Sequence, residues 1–101
     1  MTLRFATAAA AILLLATQAG AATPHYDGDK LAKKASVTID QAQAIALKAR
    51  PGVVTDRELE KEDGGLRYSF DITSDGVTYE VGVDARTGAV LENGAEGKNP
   101  D

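Results

Sequence analysis

Leu66, Tyr68, Phe70 and Ile72 are apolar, while Arg67, Ser69, Asp71 and Thr73 between them are polar or charged. Val77, Tyr79, Val81 and Val83 then repeat the pattern against Thr78, Glu80, Gly82 and Asp84. Side chains alternate across the two faces of a strand, so each run reads as a strand with one apolar face and one polar face. Ser74-Asp75-Gly76 between them is turn chemistry, and so short a link forces the two strands to pair antiparallel. A chain built this way needs a cover for one side of a sheet.

The cover is upstream, where the period is 3.6 and not 2. Ala42, Ile45, Ala46 and Ala49 recur at i, i+3, i+4 and i+7, one face of a helix, with Ile39 beside the stripe and Leu47 off it. Gln43 and Lys48 point away from that face. Thr38 and Gln41 have the spacing of a capping box, and Asp40 suits the positive end of the helix dipole. Arg50 closes the helix as a cation at its negative end, and Pro51-Gly52 stops it. Alanines on the buried stripe let a short helix lie close on a sheet. Val53 to Lys61 reads as a first strand, Glu62 to Gly65 as a turn whose two glycines take positive φ, and Ala89 to Glu92 as a short last strand. The expected fold is α+β, with one N-terminal helix packed on one face of a three- to four-stranded antiparallel meander.

The ends of the chain read differently. Met1 to Phe5 carries one cation, Ala6 to Ala16 is small or apolar apart from Thr7, and Ala19-Gly20-Ala21 offers small residues at −3 and −1 of a cleavage site. That order is a secretory signal peptide over 1–21, and its apolar run is shorter than the ~20 residues that span a bilayer. No stable membrane anchor is expected after cleavage, and a periplasmic or secreted location follows. Residues 22–35 hold little to bury and read as a flexible leader, 36–93 as the folded domain, and 94–101 as a disordered tail. The net charge is −4, and removing Arg4 makes it −4 − 1 = −5, which leaves no basic footprint for nucleic acid. The chain has no Cys, so packing alone must hold so small a domain together.

"DARTG", Asp84 to Gly88, interrupts the last two apolar runs and invites a ligand-site reading. Each letter also has a backbone role. Asp84 can accept from amides two and three residues on, and Gly88 can occupy the left-handed position of a bulged hairpin. Asp84, Thr87 and Gly88 are therefore read as a structural turn.

The helix T-I-D-Q-A-Q-A-I-A-L-K-A-R-P-G, the stretch "ELEKEDGGLRYSFDI" and the ending "YEVGVDARTGAVL" together resemble the PepSY domain. The resemblance covers nearly all of the folded part, and V-D-A-x-T-G-x-V-L over Val83 to Leu91 is its most specific piece. It implies a helix on an antiparallel sheet and a non-catalytic module that binds or restrains a partner, with peptidase inhibition proposed for the family. No catalytic residues carry over. No protease domain follows Asp101, so anything restrained is expected to be a separate molecule.

Residue chemistry agrees with a non-enzyme. There is no G-x-S-x-G and no phosphate loop, and every Asp and Glu falls on a polar face or a turn. His25 is the sole imidazole, and Pro24 lacks the amide an N-terminal copper site would use. Asp71 to Gly76 begins like a calcium loop, but position twelve is Gly82 where a bidentate Glu is needed. No metal or other cofactor is expected. Glu58, Glu60, Glu62 and Asp63 form an acidic run that reads as a solvated edge. The expected partner is a protein or peptide of the envelope, a peptidase among the candidates, meeting either the free edge of the last strand or the polar face at Arg67, Ser69, Asp71, Thr78 and Glu80. The alternative is a small-ligand or divalent-cation sensor built on the acidic run and Asp84.

Overall fold

The computed structural model describes residues 25–96; the signal-peptide reading of 1–21 and the tail beyond 96 lie outside them. A short 3-10 helix, Asp29–Lys34, precedes helix α1, Ile39–Ala49, and four strands: β1 Val53–Glu62, β2 Gly65–Ser74, β3 Val77–Asp84 and β4 Val90–Ala95. The strands pair antiparallel in the order β1-β2-β3-β4, a meander. The expected α+β fold, one helix on one face of an antiparallel sheet, is the observed one.

Local chemistry sets each boundary. The Gln41 amide donates to Thr38 Oγ1 at 3.1 Å and the Thr38 amide to Gln41 Oε1 at 2.9 Å, the reciprocal capping box. Asp63 and Gly64 (φ 49° and 81°) turn β1 into β2, and Asp75 and Gly76 (52° and 80°) turn β2 into β3. Two successive left-handed residues match the right-handed twist of the flanking strands, which is why Asp-Gly serves twice. Gly65 closes the first turn as its fourth residue, paired with Glu62, and the positive φ falls on Asp63 and Gly64 and not on Gly65.

Ile39, Ala42 and Ala46 are buried against Leu59, Tyr68, Phe70, Ile72, Val81, Val83 and Ala85. Ile39 is thus central to the buried stripe, while Ile45, Ala49 and Leu47 pack half-buried at its sides. Fully covering each of the large core side chains stabilises the fold by about 1.5–3 kcal/mol. Ala42 and Ala46, both fully buried, set the spacing, because a longer side chain at either would lift the helix off the sheet. The Tyr68 hydroxyl, at the end of the core, donates to the Val37 carbonyl at 2.7 Å and ties the helix entry to the sheet.

Two expectations need correction. Residues 26–35 have more to bury than a flexible leader would: Tyr26, Leu31 and Ala35 pack on the core, and the Leu59 amide donates to the Asp27 carbonyl at 2.8 Å. Asp27 bridges Glu58 in parallel, so this strap covers part of the outer edge of β1. Gly28 makes the approach possible at φ 84°, where a Cβ would stand 1.8 Å from the Leu59 carbonyl oxygen. The expected tail from 94 also starts too early. β4 continues through Ala95, and the Glu96 amide donates to the Thr78 carbonyl at 2.8 Å.

Candidate functional site

Strand alternation puts Arg67, Ser69, Asp71, Thr78 and Glu80 on the sheet face away from α1, as expected, but they are not equally available. Arg67 lies across the centre with its side chain 12% exposed. Its Nε donates to Ser69 Oγ at 3.0 Å, and Ser69 Oγ donates to Glu60 Oε2 at 2.8 Å. Its Nη2 donates to Glu92 Oε1 at 2.8 Å and to Glu80 Oε2 at 3.4 Å, while Glu62 Oε1 stands 3.6 Å from Nη1. Gly82 forms the floor: a Cβ there would lie 2.6 Å from the guanidinium carbon. The planar group therefore lies flat on backbone, where four glutamates from three strands can reach its edges. Ser69 is buried beneath this array, whereas Asp71, Thr78 and Glu80 are half-buried at its margin.

The carboxylates outnumber the cation, and their protonation records it. Hydrogen bonding to Glu60, then burial, then the charges of Glu60, Asp27 and Asp56 push Glu58 up to about 7. The same bond holds Glu60 below its ordinary value against the opposing effect of burial, helped by Ser69 and Arg67. The two alternate on β1 and share one face, so their titrations are linked. Burial first, then Glu96 and Asp56, raises Asp71; burial first, then Glu92, raises Glu80 against the pull of Arg67. The face is thus anionic, with its cation already engaged. A carboxyl poised near neutrality could not be read from the alternating acidic run alone.

Asp84, Thr87 and Gly88 form the expected turn. Asp84 Oδ1 accepts from the amides of Arg86 at 2.7 Å and Thr87 at 3.1 Å, and these bonds hold its carboxyl below the usual range. Thr87 Oγ1 accepts from the Ala89 amide at 3.2 Å, and the Gly88 amide donates to the Asp84 carbonyl at 2.9 Å with Gly88 at φ 82°. The turn also does something its letters do not announce. Buried Ala85 accepts from the amides of Ser36 (3.0 Å) and Val37 (2.9 Å) and donates to the Leu66 carbonyl at 2.9 Å. It is the node where the helix entry, β2 and the last hairpin meet.

Other long-range contacts carry no local signal. Asn93 of β4 donates to the Ala49 carbonyl at 3.3 Å and accepts from Arg50 Nε at 3.1 Å, while the Arg50 guanidinium lies 3.8 Å from the Tyr79 ring centre. These contacts pin the C-terminus of α1 to the last strand. Gln43 does not point free; it accepts from Arg57 Nη1 at 3.0 Å. Asp71 to Ser74 lies within β2, and Asp75-Gly76 is its turn, so the calcium-like opening is a strand end. Among the described residues no three His, Cys, Asp or Glu side chains converge as metal ligands.

β4 is the edge strand. The Glu96-to-Thr78 bond sets the phase of its ladder: Glu92 and Gly94, opposite Gly82 and Glu80, turn their backbone groups toward β3. Asn93 and Ala95 therefore turn theirs outward. Val90 and Leu91 beside them are 43% and 53% exposed, and Leu91 has no partner on β3 because the register shifts there. Among the described residues no helix is long and apolar enough to cross a membrane.

Residues 36–93 match the family described as peptidase propeptide and YPEB domain. The matched span opens at the first residue bonded to Ala85 and closes at the residue that pins α1. An uncharacterized protein of Bacillus subtilis (strain 168), YkoJ, is 32% identical over 62 residues, 60% of this chain and 36% of that protein. This chain thus spans little more than a third of that relative's length. No solved structure matches it.

Proposed function

This chain belongs to the PepSY family of peptidase propeptide and YPEB domains, and on that premise we propose that it is an exported, non-catalytic module that holds an extended peptide segment of an envelope protein. The carrying observation is the asymmetry of the two sheet edges. The outer edge of β1 is covered at Asp27 by the strap, whereas β4 turns the amides and carbonyls of Asn93 and Ala95 outward beside exposed Val90 and Leu91. An added strand would gain main-chain hydrogen bonds from that edge and side-chain selectivity from the two apolar residues. The family description supports a peptidase as the partner class. The order of Arg4, the apolar run 6–16 and Ala19-Gly20-Ala21 supports export.

The test is selection of extended peptides against the purified protein, followed by amide NMR of the isotope-labelled chain with a selected peptide. Shifts are expected to centre on Leu91, Asn93 and Ala95. Ala95→Pro removes one outward donor at an edge position where proline is tolerated, so the variant should stay folded and lose binding. Equal binding by a folded Ala95→Pro protein, or shifts confined to other elements, would refute the edge.

A further inference from the structure

At the end of the sheet where β1 turns into β2, a groove of about 330 Å³ is lined by Lys34, Lys61 and Arg86 together with Glu62, Asp63 and Leu66. The three cations come from three separate segments, and one backbone node links those segments. The Ser36 amide, two residues after Lys34, donates to the Ala85 carbonyl; the Ala85 amide, one residue before Arg86, donates to the Leu66 carbonyl. Lys61 is the cross-strand neighbour of Leu66. Among the described residues none of these cations has a carboxylate within 4.0 Å, in contrast to Arg57 and Arg67, which both do. Like charges gathered at one groove without a directly paired carboxylate repel, and an anion between them would relieve that.

The charge count narrows the ligand. Three cations against Glu62 and Asp63 give 3 − 2 = +1 at the groove, on a chain whose net charge is −4. Glu62 is itself drawn toward Arg67 on the other side of the strand, at 3.6 Å. A single excess positive charge fits a monoanion better than a dianion, and Leu66 supplies a half-buried apolar wall beside it. We propose that this groove binds a carboxylate carried next to an apolar side chain, such as the C-terminus of a peptide partner. The proposal rests on the peptide-binding reading above for its biological source, but its site is separate from the β4 edge.

N-acetyl-leucine is the probe, with N-acetyl-leucinamide and inorganic phosphate as comparisons, titrated into the isotope-labelled protein purified as the cell processes it. A saturable response in the millimolar range is expected at the amides of Gly64, Gly65, Leu66 and Arg86, as befits so small a ligand. The amide analogue should give none, and Lys34→Gln/Lys61→Gln/Arg86→Gln should weaken binding at least tenfold while the melting temperature stays near that of the parent. No saturation, an equal response to the uncharged analogue, tighter binding of phosphate, or undiminished binding by the folded triple variant would each overturn the assignment. Asn93 and Ala95 are read in the same spectra, so failure at the groove and failure of the edge reading are distinguished.

Discussion

Replacing Arg67 by Met would keep most of the side-chain volume over Gly82 and delete the charge that four glutamates surround. The magnitude follows from the geometry. Glu92, Glu80, Glu60 and Glu62 have oxygens 2.8, 3.4, 3.6 and 3.6 Å from the guanidinium nitrogens, and their side chains are 47%, 34%, 30% and 49% exposed. Pairs so wet are each worth about 0.5–1 kcal/mol, far below the interior limit. Four of them come to about 2–4 kcal/mol, and relief of the guanidinium's own burial returns about 1 kcal/mol. A net loss near 2 kcal/mol at neutral pH should lower the melting temperature by about 10–15 °C for a domain of this size. The pH dependence separates charge from packing. Glu60 titrates below its ordinary value when folded, with Arg67 among the causes, so its contribution is present above the unfolded value near 4.5 and lost as pH falls through the folded one. The gap between parent and Arg67→Met, measured by urea unfolding, should therefore be widest near pH 7 and shrink to under about 1 kcal/mol near pH 3. An equal gap at both pH values would mean that Arg67 serves by packing alone, and the electrostatic account of this face would fail.

Glu58 titrates in the opposite sense. Raised to about 7 from 4.5, it favours the folded state fully below 4.5 and loses that contribution as pH climbs through about 7. Stability should fall across that window by about 1 kcal/mol at most after solvent screening, and Glu58→Gln should flatten the fall in melting temperature. Tyr68→Phe removes the 2.7 Å bond to the Val37 carbonyl, and urea unfolding should show a loss of about 1–2 kcal/mol. Gly88 and Gly76 both sit near φ +80°, but a Cβ at Gly88 would meet Ile45 Cδ1 at 3.2 Å while one at Gly76 meets nothing within 4 Å. Gly88→Ala should thus cost more than Gly76→Ala, itself about 1 kcal/mol; equal costs would show that Ile45 yields freely.

What the sequence disclosed was what neighbours along the chain decide. Thr38 with Gln41, the two Asp-Gly turns, the alternation through Tyr68 and Val81 and the bonds inside Asp84 to Gly88 each depend on residues a few positions apart, and each was legible. The arrangement of the polar face was not, because register decides it. Nothing local says that Gly82 lies beneath Arg67, that Ser69 is covered by it, or that Glu92 of the last strand completes the ring. Asn93 and Ala49 stand 44 positions apart, and the strap at Asp27 meets β1 through backbone atoms that leave no periodic trace. Alternation placed the five candidate contact residues on one face but could not show how far that face is already occupied.

That occupancy bears on where the proposed partner would bind. Arg67, the central cation of the polar face, is engaged by Glu60, Glu62, Glu80 and Glu92, and Ser69 both donates and accepts beneath it. A ligand landing there would have to break those contacts or approach a surface of carboxylates, several of them already raised in pKa by burial and by their neighbours. The β4 edge imposes neither cost. Among the described residues its outward amides and carbonyls at Asn93 and Ala95 face no partner strand, and Asn93 is held in place from behind by Arg50 and Ala49. A strand braced by a helix terminus on one side and open on the other can accept another strand without being reshaped. On energetic grounds the edge outranks the face.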